Sequence, residues 1–262
     1  PRQSGGLSYH AWPPGCFDRQ DPIADAAFYA PPRFVTHIDD DAVRAVSDLY
    51  DELGVPDSRT LDLMSSWVSH LSRAPVDGLT VLGMNARELH ANPLADEVVV
   101  QDLNVDPRLP FEDASFDAVV CCVSVDYLVH PVEVLRDAAR VLRPGGLVVL
   151  TFSNRCFPTK AIRGWLATDE DGRVAIVRDY LERAGFTDVP VIVRDVDDRT
   201  ALELAIVDNV QRSARNPLEE ALGYERLIAE HGYPQHHRGV VTRKSRLNAA
   251  HRHRLLNLPD PA

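Results

Sequence analysis

The sequence predicts an α/β protein with a Rossmann-like, doubly wound, mostly parallel sheet, followed by a small and mostly helical C-terminal segment. Short runs of Val, Ile and Leu alternate along the chain with amphipathic segments of helical spacing. The runs are continuously apolar, which is typical of strands buried on both faces of a parallel sheet that helices cover. The longest apolar run, residues 118–123, is far shorter than the roughly 20 residues of a membrane helix, so we expect no membrane partner.

Three segments follow one another along the chain. Residues 1–38 are rich in Gly, Pro and Asp without periodicity, which predicts an irregular N-terminal arm or lid. Residues 39–188 carry the alternating pattern of the α/β domain. The sequence changes character after Gly185, and residues 189–262, which begin with a strand at 189–193, form the third segment. Within the α/β domain the pattern predicts strands at 60–64, 79–83, 97–101, 116–123 and 147–152, and helices at 39–53, 65–72, 86–91, 130–142 and 174–184.

Glycine and proline mark the ends of several predicted helices. Gly54 and Gly185 each follow a helical pattern, where glycine is common. Pro131 fits the first turn of the helix at 130–142, where a missing N–H costs nothing. The Pro-Gly-Gly at 144–146 is expected to end that helix.

The predicted topology also locates a binding site. In doubly wound sheets the ligand lies in a crevice at the carboxyl ends of the strands. The residues that follow Met64, Gly83, Gln101 and Val123 are therefore expected to line it.

Charge is unevenly distributed along the chain. The formal net charge is −11, yet from Gln211 onward nine Arg and Lys oppose five Asp and Glu, so that this tail carries +4 and the rest −15. Five of the ten His residues also lie in the tail. An acidic body with a basic tail indicates two modules with different partners.

The four cysteines show neither CxxC pairing nor zinc-ligand spacing, and two of them are adjacent in an apolar run. We therefore expect no metal site, no disulfide scaffold and a reducing, cytoplasmic location.

Two motifs in the α/β segment carry a family resemblance. Residues 109–119 read Leu-Pro-Phe-Glu-Asp-Ala-Ser-Phe-Asp-Ala-Val, and residues 140–146 read Arg-Val-Leu-Arg-Pro-Gly-Gly. Together with Asp102-Leu103 they resemble class I S-adenosylmethionine-dependent methyltransferases of the type 11 group, and the resemblance covers about residues 28–186. It implies the class I methyltransferase fold and S-adenosylmethionine as cofactor. A dinucleotide enzyme is disfavoured, because no GxGxxG follows the first strand.

The resemblance implies a cofactor site made of residues that follow the strands: Asp62, Met64, Ser65, Ser66, Asn85, Asp102, Leu103, Cys122 and Ser124. Asp62 matches the acid that ends the first strand, whereas Met64 and Ser66 stand where glycines are usual. Asn85 stands where an acid usually accepts the ribose hydroxyls. Asp102 matches the position that accepts the adenine amino group, with the Leu103 backbone beside it. Cys122 and Ser124 match the wall along the methionine portion.

The acceptor side of the site is predicted from residue types. Methyl transfer is an in-line displacement in which the protein mainly aligns the reactants and, for some acceptors, removes a proton. His37 is our predicted catalytic base, with His70 and His130 as alternatives, and Tyr29, Arg33, Tyr127 and Asn154 are predicted to shape the substrate pocket. Local packing explains each of these residues about as well. The acidic body and the absence of a base-extruding loop motif favour a small-molecule acceptor over nucleic acid.

A second resemblance begins at residue 189. The segments 189–198, 201–205, 208–212, 216–221, 223–224, 227–228 and 255–259 resemble ParB-type chromosome-partitioning proteins. In that family a Glu-Asn-x-Gln-Arg box contacts nucleotide phosphates and metal, and here Asp208 replaces the acid. The family's Gly-x-Arg-Arg box is absent, so we expect no working CTP switch.

The ParB-like segment is expected to form a helix at 217–231 and a degenerate helix-turn-helix beyond it. Arg238 and His253 stand at positions expected to be apolar core, and charge on a buried face weakens packing. The resemblance implies at most a weak DNA contact through the basic segment. Two partial resemblances in one chain also suggest a fused or frameshifted reading frame.

The leading interpretation is an S-adenosylmethionine-dependent methyltransferase that acts on a small molecule. The alternative is a ParB-like DNA-binding protein with a non-catalytic α/β domain. A relative with the same fold that binds no cofactor, and another kind of nucleotide-binding α/β protein, also stay open.

Overall fold

The computed structural model describes residues 12–195 and 201–208. The chain divides into two compact units, Pro1–Asn209 and Val210–Ala262, and every described residue belongs to the first. The predicted helix at 217–231, the degenerate helix-turn-helix and the basic tail lie outside the described residues.

The first unit is built on one mixed sheet. Its order is β3-β2-β1-β4-β5-β7-β6. Strands β1 to β5 run parallel, and β7 lies antiparallel between β5 and β6. The predicted Rossmann-like, mostly parallel sheet is thereby confirmed. The strands are β1 Thr60–Leu63, β2 Leu79–Gly83, β3 Glu97–Val100, β4 Phe116–Cys122, β5 Leu142–Ser153, β6 Val191–Asp195 and β7 Ala201–Asp208.

Helices cover both faces of the sheet: α1 Asp25–Phe28, α2 Asp40–Glu52, α3 Ala86–His90, α4 Pro131–Val141, α5 Arg163–Leu166 and α6 Glu170–Ala184. Alternate residues of β4 point to opposite faces, as a strand requires. Val119 and Cys121 pack in one buried cluster with α4 and α6, whereas Ala118 and Val120 pack in another with α2 and α3. The continuously apolar strands are therefore buried on both sides.

Side-chain caps explain where two helices begin. The Asp39 carboxylate accepts a hydrogen bond from the Ala42 amide at 2.9 Å, and Asp169 accepts one from Gly172 at 2.9 Å. Such caps satisfy amides that have no partner within the helix. Because of the second cap, α6 starts four residues earlier than its apolar pattern predicts. It ends at Gly185, whose φ of 106° favours glycine.

The prediction of a helix at 65–72 is wrong, because the structure has no helix between β1 and β2. Met64 and His70 both have a φ of 55°, which interrupts a right-handed helix at each end of the segment. The Asn92 amide donates to the Ser66 carbonyl at 3.2 Å and to the Ser69 hydroxyl at 2.7 Å. Side-chain hydrogen bonds from a distant residue thus replace helical ones.

The Pro-Gly-Gly at 144–146 was predicted to end the helix before the next strand. These residues instead lie within β5. Helix α4 runs directly into β5, which already pairs at Leu142 with Phe116. The next pair is Leu147 with Ala118, so the intervening residues form a bulge in β5.

The sheet continues beyond residue 188, the predicted end of the α/β domain. Strand β6 pairs with β7, and β7 pairs with β5 from Leu147↔Asp208 to Ser153↔Leu202. Segments that we attributed to the ParB-like part therefore complete the sheet, because the free edge of β5 bonds to them.

Candidate functional site

A cleft of about 200 Å3 opens at the carboxyl ends of β1, β2, β3 and β4. This is the edge that the predicted topology indicates. The cleft is lined by all of the predicted cofactor residues: Asp62, Met64, Ser65, Ser66, Asn85, Asp102, Leu103, Cys122 and Ser124. The structure thus brings together side chains from four separate strand ends.

Asp62 places a buried carboxylate at the end of β1. The residue is 3% exposed, and its Oδ2 accepts a hydrogen bond from the Ser65 hydroxyl at 2.7 Å. Burial raises the pKa of Asp62 to about 7, although the Ser65 and Ser69 hydroxyls act in the opposite direction. A cationic group in the cleft would complete the pairing of this carboxylate.

The turn after β1 keeps a glycine-like backbone without glycine. Met64 has a φ of 55°, which glycine adopts at little cost and other residues at about 1–2 kcal/mol. Its half-buried side chain packs against the core cluster that contains Leu61 and Leu63. Beside this turn, a Cβ on Gly83 would collide with the carbonyl oxygen of Ser65, so glycine is required there. The Met64 side chain, which is larger than the usual glycine, is thus accommodated by packing against the core.

Asn85 braces the protein rather than offering free atoms to the cleft. Its Oδ1 caps α3 by accepting from the Arg87 and Glu88 amides at 3.0 and 3.3 Å. Its Nδ2 donates to the carbonyls of Tyr29 and Ala30 at 2.8 and 3.1 Å. Because both of its donors and both of its lone pairs are in use, the ribose contact that the resemblance implies would require these bonds to rearrange.

Sequence reasoning missed the carboxylate of Glu88, which lines the cleft. Glu88 accepts from the Arg33 backbone amide at 2.5 Å and from the Ser66 hydroxyl at 2.9 Å. The pattern Asn-x-x-Glu at the start of a helix could have drawn attention to Glu88, since it places an acid in the first turn. Glu88 joins three segments that meet at the cleft.

Asp102 and Asn104 shape the loop after β3. The Asp102 carboxylate accepts from the Asn104 amide at 2.9 Å, a local turn that holds the loop. The Asn104 side chain donates to Asp25 and to the Tyr127 carbonyl, each at 2.9 Å. Asn104 and Asp25 also line the cleft, although no sequence pattern indicated them.

Aromatic rings gather around Phe157 on the other side of the cleft. The ring centroids of His37, Phe28 and Tyr127 lie 5.2, 5.5 and 6.0 Å from that of Phe157. The Arg33 guanidinium lies over the Phe28 ring at 4.6 Å and near the Phe157 ring at 5.6 Å. Together with Tyr29, the predicted substrate residues Arg33 and Tyr127 therefore meet in one place.

Two predicted positions lie apart from this group. Asn154 is exposed and does not line the cleft, so its expected contribution to the substrate pocket is not supported by its position. His130, an alternative base, is likewise exposed and outside the cleft. Strand β5 ends at Ser153, and the chain turns towards the cleft only after Asn154.

The two remaining histidines differ in environment. His37 is exposed at the cleft, and burial of part of its ring lowers its pKa. His70 lines the same cleft with both ring nitrogens buried, and burial lowers its pKa to about 4. His37 also lowers the pKa of His70, so the two rings interact.

The N-terminal segment forms a wall of the cleft and is tied to the body by buried charges. The Lys160 ammonium is 0% exposed and lies 3.2 Å from the carboxylates of both Asp21 and Asp25. Asp25 also pairs with Arg19 at 2.6 Å. Burial would raise the pKa of Asp25, but Arg19, Asn104 and Lys160 outweigh it and hold the pKa below its ordinary value. In this structure residues 19–25 are thus anchored.

A parallel sheet in this order, with a cleft across the carboxyl ends of its first four strands, defines a Rossmann-like α/β protein with a ligand-binding edge. Within it, residues 74–150 match the type 11 family described as "Methyltransferase domain". The match contains both motifs that carry the first resemblance, which it confirms.

Comparison with curated proteins confirms the second resemblance. The chain is 47% identical over 78 residues to the chromosome-partitioning protein ParB of Myxococcus xanthus, and 44% identical over 79 residues to that of Caulobacter vibrioides. Each match covers 30% of this chain and 26% of the relative. The chain thus spans about a quarter of the length of these relatives, which does not favour the DNA-binding alternative.

Solved structures show weaker likenesses. An S-adenosylmethionine-dependent methyltransferase from Thermotoga maritima aligns with 64% of this chain and 91% of its own, at 14% identity and a TM-score of 0.48. An arsenic(III) S-adenosylmethionine methyltransferase from Chlamydomonas reinhardtii aligns over 71% of this chain and 76% of its own chain, at 18% identity and a TM-score of 0.44. The fold assignment rests on the strand order and the family match. Among the described residues, no helix is long and apolar enough to span a bilayer.

Proposed function

We propose that the α/β unit is an S-adenosylmethionine-dependent methyltransferase that acts on a small-molecule acceptor. The observation that carries the proposal is the buried carboxylate of Asp62, at the carboxyl end of β1 and in the wall of the cleft. The family match over residues 74–150 supports the same class.

The residues of the cleft fit the cofactor. Asp62 offers its carboxylate to the ammonium of the methionine portion, and the Cys122–Ser124 segment would lie along that portion. The Asp102 carboxylate keeps one oxygen beyond its turn with Asn104 for the adenine amino group. When bound, the cofactor supplies a methyl group on a positively charged sulfur. In an acidic protein, a cationic ligand is also favoured by long-range attraction.

The chain itself contributes alignment and exclusion of water. The anchored segment at residues 19–25 and the aromatic group around Phe157 enclose the acceptor side of the cleft. Tyr29, Arg33 and Tyr127 would position the acceptor there. The formal net charge of −11 disfavours a nucleic-acid acceptor and so supports a small molecule. His37, which lines the cleft, stays the candidate base.

Isothermal titration calorimetry with S-adenosylhomocysteine tests the proposal. We expect micromolar-range binding by the full chain and at least about tenfold weaker binding by Asp62→Asn, which corresponds to about 1.4 kcal/mol. Asp77→Asn removes an exposed carboxylate outside the cleft and should bind like the wild type. The absence of heat from the folded wild-type chain at high concentration would overturn the proposal.

A further inference from the structure

The side chain of Arg33 is held in a fixed place on the acceptor side of the cleft. The central carbon of its guanidinium lies 4.6, 5.6 and 5.8 Å from the ring centroids of Phe28, Phe157 and Tyr29. Its Nη2 donates to the Phe28 carbonyl at 2.9 Å. Aromatic faces stabilise a cation beside them, so these contacts keep the guanidinium where it is.

The guanidinium of Arg33 is nevertheless available to a ligand. Among the described residues no carboxylate forms an ion pair with it, and its one side-chain hydrogen bond is the one to Phe28. None of its polar atoms belongs to the buried atoms that lack a partner, so Nε and Nη1 are accessible. Arg33 also lines the cleft. Most of its N–H donors are therefore free to meet an acceptor group in the cleft.

The other charges of the cleft are acidic or already paired. Arg155, which also lines the cleft, is 48% exposed and lies 3.7 Å from the Asp39 carboxylate. Four carboxylates line the same cleft: Asp25, Asp62, Glu88 and Asp102. An anionic ligand would be repelled by these groups everywhere except near a cation without an acidic partner. Arg33 is that cation in the part of the chain that the structure describes.

The charge of Arg33 acts on the acceptor side of the cleft. Burial lowers the pKa of His37, the candidate base, and the Arg33 guanidinium adds to this effect. The pKa of Asp62, the proposed partner of the cofactor's ammonium, is instead shifted by burial and by two serine hydroxyls, not by Arg33. Arg33 therefore belongs with the candidate base and the aromatic group around Phe157.

We propose that the methyl acceptor is a small carboxylic acid whose carboxylate binds the guanidinium of Arg33. The inference rests on the proposed methyltransferase function and names the class of its acceptor. The planar donors of arginine match the oxygens of a carboxylate, and a side chain that is already held loses little freedom on binding. The bound carboxylate would fix the acceptor beside His37. A single carboxylate needs only one such cation, even in an acidic protein.

The inference can be tested by titrating the S-adenosylhomocysteine complex with benzoate and butanoate, and with their neutral amides, benzamide and butanamide. Ligand-observed NMR measures the affinities at neutral pH. The wild type should bind each acid at least about tenfold more tightly than its amide. Arg33→Gln should lose this preference while it binds S-adenosylhomocysteine like the wild type. Arg87→Gln removes an exposed arginine outside the cleft and should keep the preference.

A second measurement uses the wild type alone, so it does not depend on a variant that folds. The Nε–H resonance of Arg33 should move on addition of benzoate to the S-adenosylhomocysteine complex. It should stay in place on addition of benzamide, which has the same shape without the charge. An unmoved resonance at saturating benzoate would show that the carboxylate binds elsewhere and would overturn the role of Arg33.

The outcomes separate this inference from the proposed function. A wild type that binds S-adenosylhomocysteine but prefers neither acid over its amide overturns the carboxylate class. A preference that persists in Arg33→Gln, or is lost equally in Arg87→Gln, overturns the role of Arg33. If Arg33→Gln binds S-adenosylhomocysteine at least about tenfold more weakly, the guanidinium holds the carboxylate of the cofactor, and the inference is wrong. Failure of the wild type to bind S-adenosylhomocysteine overturns the proposed function itself.

Discussion

The ammonium of Lys160 lies 3.2 Å from the carboxylate of Asp25, and both side chains are buried. Lys160 also donates to the Ile23 carbonyl at 2.5 Å, across 137 positions of sequence. This pair holds the N-terminal segment against the connection between β5 and α5, and Asp25 itself lines the cleft. The ion pair therefore links the stability of the chain to the shape of the site.

Lys160→Met should lower the free energy of unfolding by about 1–3 kcal/mol, because the buried Asp25 carboxylate keeps Arg19 but loses its second cation. Denaturant unfolding measures the loss, and calorimetry should show weaker binding of S-adenosylhomocysteine. Arg163→Met removes an arginine that is 69% exposed and should change stability by less than about 1 kcal/mol. Similar stabilities of the two variants would show that the buried pair is not an anchor.

Asn85→Asp should destabilise the protein by about 1–3 kcal/mol. The carboxylate keeps the helix cap but loses both hydrogen bonds to the Tyr29 and Ala30 carbonyls and places charge against them. Asn154→Asp, at an exposed amide, should stay within about 0.5 kcal/mol of the wild type. An Asn85→Asp protein with unchanged stability and tighter binding of S-adenosylhomocysteine would instead support a ribose contact at this position.

The two methionines of the chain should respond differently to glycine. Met64 has a φ of 55°, so Met64→Gly relieves about 1–2 kcal/mol of backbone strain while it loses packing. Met84, also half-buried at the cleft, is not among the residues with positive φ, so Met84→Gly has no such relief. We expect Met84→Gly to be the more destabilising by at least about 1 kcal/mol in urea unfolding. The reverse order would show that side-chain packing outweighs the strain at Met64.

Asp126→Asn should stabilise the protein, and more so at higher pH. Burial raises the pKa of Asp126 from 3.8 to about 8, and its Oδ2 has no hydrogen-bond partner among the described residues. The folded state therefore holds a proton that the unfolded state has released, so stability is lost as the pH rises from about 4 to 8. Asparagine mimics the protonated form. Melting temperatures at pH 5 and pH 8 should show a gain of a few degrees that is larger at pH 8, and a gain independent of pH would contradict this account.

Binding of S-adenosylhomocysteine should strengthen as the pH rises from 6 to 8. The pKa of Asp62 in the free protein is about 7, and only the ionised carboxylate attracts the ligand's ammonium. Calorimetry in buffers of different ionisation enthalpy should detect proton release on binding near pH 7. In Asp62→Asn both the pH dependence and the proton release should disappear, and their persistence would assign them to another group.

Local sequence determined most of the secondary structure. The apolar run of β2 was predicted with its observed bounds, and α2 differs from its prediction by one residue at each end. These elements depend on near neighbours: a continuous apolar run, a helical stripe and an Asp cap. The strand ends also determined which residues line the cleft, because parallel strands place their carboxyl ends at one edge.

Tertiary structure decided the rest, because the deciding contacts join residues far apart in sequence. The segment 65–72 is not helical because the Asn92 side chain donates to its backbone. The Asn85 side chain is not free for a ligand because it donates to the carbonyls of Tyr29 and Ala30. The placement of β7 beside β5 depends on pairing across about 50 to 60 positions. Likewise, only the burial of its ring distinguishes His70 from His37, and burial is a property of the packed chain that no local pattern contains.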